Sequence, residues 1–388
     1  MNEVQRYDVV VVGGGPAGAA VARDVAAAGF RVAIVERDQH IGKPIQCSGL
    51  VTERTLAAAG LDSSMAMNAL TGAIVHSPRG TRYAIGGDRV HAHILDRSQF
   101  DQRLMAQALD AGAVLWTGMR ASAIERHAGE IQVQAERGDV THMLRARLII
   151  GADGPRSLVA EFLDLPAPSE VLRARGADVL LRRQPSSDQV LLFLGQRYSH
   201  GFFAWAIPIS AEKYRIGWAL GQAARDTQQL ERLTADYPDI FDGMRILSQT
   251  GGLIPLGPRA RTYGDGGMVV GDAAGQAKPT SGGGLYTSLR CAAHCARVAI
   301  SALAADDTSA ARLAGYDRAW RADVGAELLR GTALRRGFRD LSDADIEWGL
   351  RLLHVPGVRH LVDRYGDIDF PSQLATAALR AVPPLRRE

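Results

Sequence analysis

The chain has 388 residues, 46% hydrophobic and 22% charged, with 45 Lys and Arg against 42 Asp and Glu. At about 150 residues per domain this length suits two or three interlocked units, and the composition excludes a wholly disordered, collagenous or coiled-coil chain. A net charge of +3 lacks the basic excess that a nucleic-acid partner requires.

Only Lys43, Lys213 and Lys278 are lysines; the other cations are arginines. Cys47, Cys291 and Cys295 are too few, and odd in number, for a disulfide framework, and suit a reducing, cytoplasmic setting. The N-terminus carries no signal-peptide pattern. No apolar run reaches the length of a membrane-spanning helix, which leaves peripheral membrane contact open.

In chain order, Tyr7–Val12 is a β-branched run read as a buried parallel strand. Gly13, Gly15 and Gly18 follow, then an alanine-rich helix over Ala19–Gly29, a strand over Arg31–Val35, and Glu36 at its end. This is a β-α-β dinucleotide fingerprint. Gly13 permits the tight turn, Gly15 lets a pyrophosphate approach the backbone, and Gly18 lets helix and sheet pack closely. The helix N-terminus offers free N–H groups to the phosphates. Glu36, 23 residues after Gly13, would accept hydrogen bonds from a ribose diol.

Leu95–Gly112 reads as a helix entered from an Arg-bearing loop, with Asp96 as its N-cap; Trp116–Ile124 follows as strand and turn. Arg147–Gly154 is a strand entering a Gly-Ala-Asp-Gly turn that contains Asp153. Met268–Gly275 is another strand, ending in Gly-Asp272, followed by Lys278-Pro279-Thr-Ser-Gly-Gly283-Gly284-Leu285 and an alanine-rich helix.

These three motifs together resemble flavoproteins related to p-hydroxybenzoate hydroxylase, which implies FAD. The resemblance places Asp272 on the ribityl and pyrophosphate region. It puts Gly283, Gly284 and Leu285 against the flavin ring. It also brings Asp153 to the pyrophosphate, Arg97 to the cofactor and Ala121 to the adenine side. The segment Ile41–Thr52, with Lys43-Pro-x-x-Cys47-Ser48-Gly49-Leu50, resembles the geranylgeranyl reductase family. So do Gly201–Pro208 and Tyr316–Trp320 with Glu327–Gly331. The expected cofactor-binding set is therefore Gly13, Gly15, Ala17, Gly18, Glu36, Arg37, Cys47, Ser48, Gly49, Arg97, Ala121, Asp153, Asp272, Pro279, Gly283, Gly284 and Leu285.

The family shows Tyr-x-Trp-x-Phe-Pro where this chain has Phe203-Ala-Trp205-Ala-Ile207-Pro208. Phe203 removes a phenolic hydroxyl, and Ile207 leans toward flavin-dependent halogenases. None of the three lysines falls where a halogenase lysine belongs, so halogenation is demoted. The implied reaction saturates the double bonds of a prenyl or other extended apolar chain. Hydride leaves reduced flavin N5, and a proton reaches the neighbouring carbon. Cys47, Trp205 and Phe203 are the catalytic candidates: Cys47 would donate a proton or tune the flavin, or else be a small buried hydrophobe. Phe202, Phe203, Trp205 and Trp218 would line an apolar channel, Phe203 and Trp205 sharing one strand face.

An FAD monooxygenase shares all three cofactor motifs, and a flavin-bearing electron-transfer protein is the non-enzymatic competitor. The electron donor stays open between NAD(P)H and a reduced ferredoxin or other donor protein. The substrate stays open among a lipid, a quinone side chain, a pigment precursor and a secondary metabolite. Cys291-Ala-Ala-His294-Cys295 lacks a second Cys/His pair for a metal, so core packing is expected. Nothing singles out His91, His93 or His200.

The fold class is α/β: a Rossmann-like FAD-binding domain (1–70, 95–165, 262–320), an inserted antiparallel sheet (71–94, 166–261) and a helical C-terminal region (321–388). Within the insertions, strands are expected at Ala73–His76, Tyr83–Ile85, Val190–Gly195 and Tyr214–Leu220, and breaks fall near Pro356, Pro371 and Pro383-Pro384. Arg380, Arg386 and Arg387 punctuate an apolar tail suited to an anionic membrane surface, or to a solvated helix. Residues 340–388 carry no motif.

Overall fold

The computed structural model describes residues 4–221 and 228–381; Pro383, Pro384, Arg386 and Arg387 lie outside them. Strand Gln5–Val12 pairs in parallel with Val32–Glu36, in register from Val9↔Val32 to Val12↔Val35, with helix Pro16–Ala27 between them. Val9, Val10 and Val11 are fully buried because both faces of the sheet are covered. The run is therefore continuously apolar rather than alternating. The helix begins earlier than expected: Pro16 is its first residue and Gly15 its N-cap, the position where the missing proline N–H costs no bond.

The first sheet runs Tyr263–Gly264, Gly267–Val269, Val140–Gly151, Gln5–Val12, Val32–Glu36, Val114–Thr117. Val140–Gly151 also pairs antiparallel with Glu130–Arg137, which in turn pairs with Arg120–His127. Alanines 19, 22, 292, 296 and 299 share one fully packed core with Phe100 and Leu104, so helices Pro16–Ala27, Arg97–Asp110 and Leu285–Ala304 lie close together on one face. Arg97 is the first residue of its helix rather than part of the preceding loop. Asp96 caps that helix, accepting from Ser98 N and Gln99 N.

The second sheet has seven strands, Arg245–Leu256, Glu170–Leu180, Lys213–Gly221, Phe203–Pro208, Gln189–Leu194, Gly72–His76 and Arg82–Gly86. The expectation of an antiparallel sheet holds for every pair but one. Gln189–Leu194 runs parallel to Gly72–His76, with Gln189↔Gly72 and Phe193↔His76 in register. Those two strands belong to separate insertions and no hairpin joins them, so the antiparallel sense is not enforced. A third, unanticipated sheet of Leu50–Val51, Ala92–Leu95 and Ala66–Leu70 adjoins the two larger ones.

The C-terminal region is helical over Ala310–Trp320, Ala326–Arg339, Asp343–Arg351, Pro356–Tyr365 and Ser372–Ala381. The expected break near Pro356 is present: Val355 is extended between Leu352–His354 and the helix that Pro356 opens at its first position. Among the described residues no helix is long and apolar enough to cross a membrane.

Candidate active site

A cavity of about 1420 Å³ is bounded by the glycine turn of the first sheet, the loop carrying Cys47, one face of the second sheet and the C-terminal helices. Ordinary small-molecule sites span roughly 300–1,000 Å³, so this one has room for a large cofactor and a second molecule.

Gly13 adopts φ +102°, and a Cβ there would overlap the Ala152 carbonyl; a Cβ on Gly18 would overlap the Gly13 carbonyl. Gly18 is thus a helix–strand packing residue and does not line the cavity. Gly15 and Ala17 do, and a Cβ on Gly15 would meet nothing within 4 Å. That leaves an open approach to the helix N-terminus, where no side chain caps the free N–H groups. Glu36 is oriented by the backbone: its Oε2 accepts from Gly14 N at 2.6 Å and Oε1 from Asp38 N at 2.8 Å. Arg37 and Ala121 stand on the same wall.

The carboxyls of the two acidic turns, Asp153 and Asp272, face the chamber. Asp153 Oδ2 accepts from Val159 N at 3.2 Å, whereas its Oδ1 is buried with no partner, and burial pushes this carboxyl above the usual range. Burial likewise pushes Asp272 up to about 6, against the opposing pull of Arg97. Arg97 forks onto Asp101 at 2.9 Å through both Nε and Nη2. Burial opposes the Arg97 charge, yet Cys47 and Asp101 beside it hold its proton more tightly than water does.

Lys278 N donates to Gly283 O and Gly282 N to Lys278 O, closing the turn that delivers Gly283, Gly284 and Leu285 to the cavity. Pro279 is a correction: it turns away from the chamber and packs on Gly331 of helix Ala326–Arg339. Gly49 is another, since it does not line the chamber; its φ of +77° and a Cβ position 2.5 Å from the Leu95 carbonyl make it a turn residue. Cys47 and Ser48 do line it. Cys47 is partly exposed, and its Sγ accepts from Gly49 N at 3.5 Å. Cys291 and Cys295 are buried in helix Leu285–Ala304, where burial pushes both thiols up.

Phe203 and Trp205 face the chamber side by side, ring centroids 6.0 Å apart, and Phe202 stacks behind Phe203 at 4.2 Å. Trp205 lies over Gly217, its cross-strand partner, where any Cβ would collide with the indole. Trp218 corrects the channel expectation. One residue along from Gly217, it points to the opposite face and packs in the core of the second sheet. His91 lines the chamber with Nε2 3.2 Å from Asp88, His93 lies 3.1 Å from Glu53, and His200 is exposed.

The segment the sequence left unplaced closes the chamber. Val362, Ile368, Pro371 and Leu374 line it. Lys278 Nζ lies 2.9 Å from Asp369 Oδ1, and Thr52 Oγ1 donates to Asp369 Oδ2 at 2.5 Å. Nearby, Arg54 holds both oxygens of Asp367. The available signal was a lone lysine beside the glycine turn. Its partner sits 91 positions away, and no local pattern links the two.

Glycines that open toward the helix N-terminus, an orphaned carboxylate oxygen and a chamber of this size fit FAD. The family model described as an FAD binding domain matches residues 6–332. Digeranylgeranylglycerophospholipid reductase 2 of Methanopyrus kandleri is 31% identical over 355 residues, covering 88% of each chain. The digeranylgeranylglycerophospholipid reductase of Methanocaldococcus jannaschii is 28% identical, covering 89% of this chain and 90% of its own. Among solved structures, a geranylgeranyl bacteriochlorophyll reductase-like protein from Thermoplasma acidophilum superposes with a TM-score of 0.84 at 21% identity, covering 98% of both chains. A flavin-dependent brominase superposes at 0.71 and 18% identity, covering 97% of this chain and 99% of its own. These two likenesses carry the fold alone. The chain belongs to the FAD-binding-domain family and, within it, to the geranylgeranyl reductase group of FAD-dependent oxidoreductases.

Proposed function

We propose that this enzyme saturates carbon–carbon double bonds of a prenyl or other extended apolar chain. The observation that carries the reading is that one chamber joins the glycine turn and acidic turns to an apolar wall of Phe203, Trp205, Leu192 and Ile207. The names of the relatives, reductases of digeranylgeranyl lipids, support the same substrate class.

Reduced FAD, when bound, supplies the electron pair and one hydrogen of the reduction. The chain's own residues do the rest. Gly13, Gly15, Ala17 and the helix N-terminus hold the pyrophosphate, with Asp153 and Asp272 beside it. Glu36 takes the ribose, with Arg37 and Ala121 on the adenine side. Ser48, Arg97, Gly283, Gly284 and Leu285 border the ring. Phe203 and Trp205 orient the alkene and exclude water. The Cys47 thiol supplies the second hydrogen as a proton, and solvent through the open side of its loop restores it.

The cofactor unit is then discontinuous (1–70, 95–165, 262–320), the second sheet lies in the substrate unit (71–94, 166–261), and the described part of the helical C-terminal region 321–388, residues 321–381, closes over both. NAD(P)H or a reduced ferredoxin supplies the electrons, and a lipid substrate implies peripheral membrane contact for a cytoplasmic protein. The test is anaerobic: protein carrying chemically reduced FAD is mixed with a geranylgeranyl-bearing phospholipid. Return of the oxidised flavin absorbance supports the reading. Reoxidation only on admitting oxygen contradicts it.

A further inference from the structure

The loop that carries Cys47 has no helix or strand of its own, so something else must fix its backbone. The second sheet does so. Along strand Lys213–Gly221, Tyr214 and Ile216 alternate into the sheet's buried core. Arg215 and Gly217 therefore point to the other face, the one that bears Trp205. Arg215 is only 8% exposed. Its cross-strand partner is Asp178, in direct register on Glu170–Leu180.

The Arg215 fork is used on two sides. Nε and Nη2 donate to the two oxygens of Asp178 at 2.6 and 3.0 Å, while Nη1 donates to the main-chain carbonyls of Cys47 at 2.9 Å and Ser48 at 3.2 Å. Burial opposes the Asp178 charge, but Arg215 and Lys213 prevail and hold the carboxyl below its ordinary range. Thr250 Oγ1 adds a bond to the Ile45 carbonyl at 2.7 Å.

We propose that Arg215 is a positioning residue: its planar fork, braced by Asp178, locks the Cys47–Ser48 backbone to the sheet face that carries Trp205, and so sets where the thiol stands in the chamber. A lysine keeps the charge but lacks the fork, and one ammonium cannot serve both carboxylate oxygens and two carbonyls in this geometry. The bonds run to main-chain atoms, so the lock acts on loop position rather than on thiol chemistry. The turnover part of the argument rests on the prenyl-reductase reading; the positioning part does not.

The experiment compares wild type, Arg215→Lys, Arg215→Met and Asp178→Asn as FAD-loaded proteins, and reads N-ethylmaleimide modification of Cys47 by mass spectrometry. Cys291 and Cys295 are buried, so modification of the native protein reports Cys47. Loss of hydrogen bonds from a charged donor predicts about a ten- to hundredfold change in the modification rate for Arg215→Met. Arg215→Lys falls in between, and Asp178→Asn moves in the same direction by less. For prenyl reduction, kcat falls while KM stays within about twofold, since the wall that binds the chain is untouched. Modification rates equal to wild type in both Arg215 variants overturn the proposal. If Arg215→Met does not fold, Arg215→Lys and Asp178→Asn decide by the same readout. If wild type reduces no prenyl chain, the functional reading fails and the modification rates still decide the role of Arg215.

Discussion

Removing one partner of the Lys278–Asp369 pair should be costly in a way that neighbouring pairs are not. The two side chains are 5% and 2% exposed. Among the described residues, the ammonium has besides Asp369 only the Ile368 carbonyl, at 2.7 Å. Asp369→Leu therefore leaves a buried positive charge with a single neutral acceptor, and also frees Thr52 Oγ1 from its bond. Stranding a buried charge costs about 3–5 kcal/mol. That raises the opening equilibrium of the C-terminal segment roughly a hundred- to a few thousand-fold.

Hydrogen exchange resolved by peptide reads this directly: amides over 366–376 should lose protection while the first sheet keeps its own. Lys278→Met combined with Asp369→Leu removes the stranded charge and should recover most of the loss, because an apolar replacement of a buried pair is often neutral or better. Asp367→Asn is the contrast, since its partner Arg54 is 53% exposed. It should cost only about 0–1 kcal/mol. An Asp369→Leu variant with wild-type protection over 366–376 would refute the reasoning.

Gly13→Ala should abolish yellow colour in the purified protein, because φ +102° and the Ala152 carbonyl both reject a Cβ; full FAD content in that variant contradicts the turn geometry. Cys47→Ala should retain FAD yet lose turnover, measured as flavin content and product formed in the same preparation. In cofactor-free protein, Asp272 titrates near 6 when folded against 3.8 unfolded. The folded state then binds more protons between those values, so its contribution to stability falls as pH rises through about 4 to 6; Asp272→Asn should remove that slope in urea titrations. His76, stacked on Phe193 at 4.7 Å, is pushed down to about 4 by burial from 6.5. Here the unfolded chain binds more protons, so stability rises with pH from about 4 to 6.5, and His76→Phe should flatten this acid loss.

The dinucleotide turn was legible in the sequence because its demands are local: glycine at a left-handed φ, an unhindered helix N-terminus and an acid at the next strand end. Glu36 was legible as an acid, but not its bonds to Gly14 N and Asp38 N, which join backbone groups the sequence does not single out. Strand alternation put Phe203 and Trp205 on one face. It also puts Trp218 on the other, since Gly217 is the residue opposite Trp205.

What stayed hidden was set by pairings distant in the chain. The parallel join of Gln189–Leu194 to Gly72–His76 links two insertions. Pro279 faces helix Ala326–Arg339 rather than the chamber. The closing segment around Asp369 is anchored by Lys278 and Thr52. A buried ion pair leaves no periodic signature, so the tail looked empty of function.

The most direct test is the mass of the product. FAD-loaded protein, a chemical reductant and a geranylgeranyl-bearing phospholipid are incubated without oxygen, and the lipid is analysed by mass spectrometry. A gain of two hydrogens for each double bond consumed is the result predicted here. An unchanged lipid under these conditions, together with a gain of one oxygen when air is admitted, would contradict it.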